Sequence, residues 1–312
     1  MNGPAWPRLR LADWADTKDT LHMWTQIVGK VRMAYAPMVN HWWHVTLYVG
    51  ARGLTTSMIP YRDGGFDIEF DFLDHHLYIR TSDDRRAAVA LAAKPVAQFY
   101  TETMHALTGL GVPTRIHAAP NEVESAIPFA EDDRHRSYDP RAAQLFWRQL
   151  VQAHRVISRF RAGFAGKVSP VHFYWGAMDL ACTRFSGRVA PPHPGGAPNC
   201  PAEVMLEGYS HELASCGFWP GGGEEGGFYA YAYPEPSGYA TSSVRPATAH
   251  YTSGEHVLPY EAVAGSGDPD AVLTEFLRTT YAAAADLAGW DRGALETDPH
   301  RWDHASRESR PD

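Results

Sequence analysis

The chain has 312 residues, 44% of them hydrophobic and 21% charged, which places it among globular proteins and gives it enough apolar surface for a substantial core. The formal net charge is −8 and no Lys/Arg cluster is interleaved with aromatics, which argues against nucleic acid and anionic membranes as partners. No apolar run reaches bilayer-spanning length and Met1 to Asp13 lacks a signal-type apolar segment; a cytoplasmic setting is expected from three cysteines that read as free thiols.

Residues 1–15 carry Trp6, Trp14 and two prolines and read as an extended arm. Asp16 and Thr17 offer an N-cap to a first helix, in which Leu21, Trp24, Ile27, Val28 and Val31 recur at helical spacing before Pro37. His41 to Val49 is rich in aromatic and β-branched residues and predicts a strand. Short turns then separate strands at Leu54–Ile59, Phe66–Leu73, Leu77–Thr81 and Ala87–Leu91, an antiparallel meander. Within it Ile68, Phe70 and Phe72 alternate with Asp67, Glu69 and Asp71, the signature of a half-buried strand. Pro95 opens a second helix marked by Val96, Phe99, Tyr100, Met104 and Leu107. The proline-punctuated stretch 111–139 reads as a linker or long crossover.

Pro140 opens a long helix to about Phe164. Gly166-Lys167-Val168, Pro170 and His172-Phe173-Tyr174 then echo Gly29-Lys30-Val31, Pro37 and His41-Trp42-Trp43, which suggests an internal duplication. Pro191 to Pro201 is a Pro/Gly-rich loop; Ser210–Phe218 and Phe228–Tyr233 read as strands, and a last hairpin falls around Ser253-Gly254-Glu255. A closing helix covers Asp270–Leu287. The expected fold is α+β: two similar halves, each an opening helix, an antiparallel sheet and a closing helix, packed around a central cleft. The expected division is 1–120, a linker at 121–139, a second half at 140–290 and a flexible tail at 291–312.

The chemistry is expected around Ser210–Gly223 and Phe228–Pro234. There a His-Glu pair, a Trp-Pro-Gly turn and a period-two aromatic ladder bring titratable groups and flat apolar faces together. The catalytic candidates are Glu212, His211, His172 and Arg184, and the ligand-binding candidates are His41, Trp43, Arg52, Trp219, Tyr229 and Tyr231. If duplicated, His41 and His172 face each other and, with His211, form a candidate set for a divalent transition metal; the alternative is hydrogen-bonded histidines at strand ends, and no HExxH spacing is present. Strand alternation puts His211, Leu213 and Ser215 on one face and Glu212, Ala214 and Cys216 on the other. The second set is small, which favours Glu212 as the pocket residue, with Trp219 at the rim. Asp179 interrupts an apolar run and is expected to pair with Arg184 or to act in the site. Lys30 and Lys167 are read as cations at helix C-termini. Cys182, Cys200 and Cys216 contain no CxxC pair and read as free thiols. Neither GxSxG nor GxGxxG occurs.

The segments Leu21–Lys30, Asn40–His44, Arg52–Thr56, Pro170–Gly176, Thr183–Arg188 and Tyr209–Gly222 together resemble a bacterial family of unknown function, the domain-of-unknown-function family numbered 5996, over about Trp6 to Trp290. The resemblance implies no activity, cofactor or site residue. The residues themselves suggest a small-molecule enzyme with a His/carboxylate site in an aromatic-lined cleft. The alternative is a non-catalytic binding protein for an aromatic or sugar-like molecule. The oligomeric state is not legible.

Overall fold

The computed structural model describes residues 5–298. Among them are seven α-helices and two antiparallel sheets of six strands each, an α+β fold with two similar halves. No helix among the described residues is long and apolar enough to cross a membrane.

Helix α1 (Leu11–Tyr35) begins inside the stretch read as an extended arm. Trp14 is buried there against Phe146, so packing extends the helix one turn beyond the Asp16-Thr17 cap signal. It is a central helix, burying polar Thr17, Thr20, Thr25 and Gln26 along with its apolar stripe. Trp24 stacks on Phe99 of α2 (Val96–Gly109), with ring centroids 4.4 Å apart.

The first sheet runs β1 (Tyr48–Val49), β2 (Gly53–Thr55), β4 (Gly64–Asp71), β5 (His76–Thr81) and β6 (Arg86–Ala90), with β3 (Ile59–Tyr61) pairing β4. Phe66, Ile68 and Phe70 of β4 are buried, while Asp67 and Glu69 face outward and meet Arg80 at 3.2 and 2.8 Å. Helix α3 (Pro140–Ala162) has Asp139 as N-cap, accepting from the amides of Arg141 and Ala142, and Pro140 at its first turn. The second sheet has the order β11 (His250–Thr252), β12 (Glu255–Pro259), β10 (Gly227–Tyr233), β9 (His211–Trp219), β8 (Asp179–Val189) and β7 (His172–Tyr174). Helices α3 and α6 (Pro269–Leu287) cover one face of β9. Between β8 and β9 lies α4 (Ala202–Gly208); α5 (Tyr260–Ala264) follows β12. Leu47 and Phe173 exchange two backbone hydrogen bonds of 2.9 and 2.7 Å, joining the edge beside β1 to β7.

Further sequence expectations change here: the single strand expected over Leu54–Ile59 is two, β2 and β3. The strand over His41–Val49 shrinks to Tyr48–Val49, and Asn40–Trp42 is a 3-10 turn in which His41 and Trp42 take φ of 58° and 60°. The His41 amide donates to Glu207 Oε1 at 2.9 Å and Trp42 Nε1 to Val204 O at 3.1 Å, so docking onto α4 overrides strand propensity. His41 and His172 are therefore not equivalent strand positions; the element that meets β7 is Leu47. Residues 291–298, expected to fray, form α7 (Arg292–Leu295) and dock, with Ala165 donating to Leu295 O at 2.7 Å. The rest of that expected tail, Trp302 included, lies outside the described residues.

Candidate functional site

A cavity of about 930 Å³ lies over the face of β8, β9 and β10 that α3 and α6 leave uncovered. Alternation carries Asp179, Ala181, Thr183 and Phe185 of β8 to this face, along with Leu213, Ser215 and Trp219 of β9 and Tyr229 and Tyr231 of β10. The opposite wall is α1 through Lys30 and Met33, the turn at His41–Trp43, and two loops that contribute Glu122 and Cys200.

The floor is a set of polar pairs. Tyr229 donates its hydroxyl to Asp179. Tyr209 and Tyr231 hydroxyls meet at 3.0 Å, and Thr183 and Ser215 hydroxyls at 2.9 Å. Gly217, cross-strand partner of Tyr229, makes the first contact possible: a Cβ there would lie 2.4 Å from the Tyr229 hydroxyl oxygen. Burial pushes the Asp179 carboxyl up to about 7; Tyr229 pulls it back, while the charges of Glu122 and Glu255 push it further.

The wall over the floor is held by Asn121. Its backbone amide donates to Gln26 Oε1 at 2.8 Å and its carbonyl accepts from Gln26 Nε2 at 2.7 Å. Its side chain accepts from Lys30 and donates to Asn199 O at 2.6 Å. The next residue, Glu122, bonds through its amide to Pro198 O at 2.7 Å, and its carboxylate lies on Gly176, where a Cβ would be 2.0 Å from Glu122 Oε1. Burial raises Glu122 and pushes Lys30 down to about 8. Lys30 is thus five residues inside the end of α1, buried, with its ammonium 5.6 Å from the Trp175 ring centroid, and its role is not that of a helix-end cation.

The candidates named from sequence divide into two groups. His41, Trp43, Trp219, Tyr229 and Tyr231 line the cavity, with Trp219 43% exposed at its rim. His211 is on the edge of this set, its ring 5.7 Å from that of His41. His172 is fully buried beneath Trp43 and Tyr174, with Nδ1 3.0 Å from Thr46 Oγ1; burial, with Arg32 and Arg161 nearby, lowers it to about 3. Glu212, Arg184 and Arg52 lie elsewhere. Glu212 pairs with Arg188 at 2.6 Å on the face away from the cavity. Arg184, on that same face, is packed on Phe160 and Tyr281, its guanidinium carbon 3.5 and 4.3 Å from their centroids, and does not pair with Asp179. Arg52 bonds Asp71 and Asp74 in the first half. The small face of β9 is not the open one: Ala214 and Cys216 are small because α3 and α6 pack against them.

Each histidine named as a metal candidate has a ring nitrogen held by a neighbour, and the Nε2 of His172 is buried without a partner among the described residues. His41 Nδ1 lies 3.2 Å from the carbonyls of Glu207 and Gly208, which makes it the protonated nitrogen, and Nε2 accepts from Lys167 Nζ at 2.7 Å. His211 Nδ1 meets Ser210 Oγ at 3.1 Å. Among the described residues no three His, Cys, Asp or Glu side chains are grouped to hold a metal ion. Sequence reasoning missed Asn121, Glu122, Tyr174 and Tyr209. The first two lie in the stretch read as a linker, where nothing local marks them; Asp179 was marked by its apolar surroundings.

The fold and site therefore define an α+β protein with a polar-floored, aromatic-walled cavity on its second sheet. The chain belongs to a family of unknown function, DUF5996, which it matches over residues 6–297. No curated protein matches the chain, and no solved structure does.

Proposed function

We propose that this protein binds a small organic molecule in the cavity over β8–β10 and performs proton-transfer chemistry on it, with Asp179 as general acid–base and Tyr229 as the donor that holds it. The observation that carries this reading is the Asp179–Tyr229 pair on the cavity floor: a carboxyl that faces the cavity and forms no ion pair with an Arg or Lys among the described residues. A carboxyl titrating near neutrality exchanges a proton at working pH, as a fully ionised or fully protonated one does not. The histidines stand back from this role. His172 is sealed and neutral, and His41 is bonded at both nitrogens. A cytoplasmic setting goes with three free thiols, two of which, Cys182 and Cys216, are direct cross-strand partners without a bond between them.

The test is a metabolite panel screened by thermal shift, with hits followed by NMR for conversion by the native protein and by Asp179→Asn. Conversion by the native protein alone is the expected result. A panel in which nothing stabilises the protein, or equal turnover by the variant, overturns the reading. Binding without conversion by either protein points instead to non-catalytic recognition of an aromatic or sugar-like molecule, which the flat faces of Trp43, Trp219 and Tyr231 favour.

A further inference from the structure

We infer that the ligand of this cavity is an organic cation, an amine in its ammonium form, received between Glu122, Asp179 and Glu255 and the faces of the surrounding aromatic rings. This rests on the cavity being the binding site, as proposed above, and names the chemistry of its occupant.

Three carboxyl side chains line one cavity. The ion pairs of the molecule go elsewhere, to Asp71, Asp270 and Glu212 among others. Glu122 and Glu255 are raised by burial with no cation offsetting it, and the two act on Asp179 in the same direction. Lys30, which lines the wall, is bound to Asn121, and Lys167 to His41; neither forms an ion pair with any of the three among the described residues. Carboxylates buried around one cavity without a counter-charge cost free energy, and a cation arriving among them recovers it.

A bare metal ion does not meet this arrangement. It needs ligands converging on one point, and the carboxylates are not grouped so. They belong to three separate elements: the loop after α2, β8 and β12. Spread carboxylates suit a cation with length and an apolar body. The remaining lining is of the same kind: Tyr174, Tyr209, Trp219 and Tyr231 are aromatic, and a ring face, the negative side of its quadrupole, already holds one cation in this wall, Lys167 5.2 Å from the Trp43 centroid. An anionic ligand would instead meet three carboxyls, while the two lysines at the wall, Lys30 and Lys167, already hold Asn121 and His41.

Isothermal titration at pH 8 with spermidine and tyramine, against benzoate and glucose as anionic and neutral controls, tests the assignment. The expected result is binding of one of the amines and of neither control. It is weakened about tenfold in Glu122→Gln and in Asp179→Asn, and weakened in the native protein when pH falls from 8 to 6 as Asp179 takes up its proton. Trp219→Ala, at the exposed rim, supplies a second variant if either carboxyl variant fails to fold, and is expected to weaken the amine. Binding of benzoate or glucose with no amine bound overturns the cation while leaving the cavity as the site. Amine binding unchanged in the variants places it elsewhere and also overturns the inference. Absence of binding by all four probes overturns it too, and the metabolite panel then decides separately whether the cavity binds anything.

Discussion

Gly29 on α1 and Trp175 after β7 occupy one space: a Cβ on Gly29 would lie 2.1 Å from Trp175 Cδ1 and Nε1. The indole is held in that position by its Nε1, which donates to Val45 O at 2.8 Å. The missing side chain lets a helix of the first half lie directly on the loop that leads to Asp179, and so sets the width of the cavity. Gly29→Ala is expected to destabilise the protein by about 1–3 kcal/mol through overpacking, despite the helix propensity alanine adds. Urea denaturation measures it; a variant as stable as the native protein contradicts the contact.

Asn121→Ala removes the acceptor of the buried Lys30 ammonium and the donor to Asn199 O. A loss of about 1.5–3 kcal/mol is expected, since the bond involves a charged group. Lys30→Met and the double variant complete a cycle, in which a coupling of about 1 kcal/mol or more marks direct interaction. Strict additivity would show that the two side chains do not depend on each other.

Asp179 makes stability depend on pH in a direction opposite to that of a paired carboxylate. Its folded value is about 7 and its ordinary value 3.8, so between these the unfolded chain has lost the proton that the native state keeps. Stability therefore falls as pH rises from 4 towards 7, and levels off above. Asp179→Asn abolishes this contribution. It is expected to be stabilising by on the order of 1–2 kcal/mol at pH 8, discounted because the group faces a cavity that admits water, and close to neutral at pH 4. Melting temperatures of both proteins across that range check the sign.

The thiols should divide by burial. Cys182 and Cys216 are enclosed under α3 and α6, and burial holds Cys182 up to about 11 and Cys216 well above its ordinary value. Cys200 lines the cavity. In the native protein Ellman's reagent is expected to titrate Cys200 first and the other two only on unfolding. An amine bound in the cavity should slow the Cys200 reaction. Fast labelling of Cys182 or Cys216 in the folded state would contradict the packing described.

Much of the architecture was legible because its signals are local. Pro140 after Asp139 starts a helix whatever surrounds it, and the alternation of Ile68, Phe70 and Phe72 with acidic residues needs only a strand with one wet face. The same alternation sorted β9 correctly into His211, Leu213 and Ser215 against Glu212, Ala214 and Cys216. What periodicity cannot state is which face another layer will cover. Small residues on a strand serve equally to leave a cavity and to let a helix come close, and only the position of α3 and α6 decided that Ala214 and Cys216 do the second. Glu212 thereby went to Arg188, and the open face fell to Ser215 and Trp219. His41 was a similar case: its neighbours favour a strand, but bonds to Glu207 on α4, distant in sequence, hold it in a left-handed turn. Asn121 and Glu122 sit in a segment with no periodicity, and they reach the site only because Gln26, Lys30, Pro198 and Asn199 hold them there. The sequence by itself determined most of the elements and the composition of each face; contacts between residues far apart in the chain decided the turn at His41, which face became the cavity and which charges it kept, because burial of a side chain is a property of its neighbours in space.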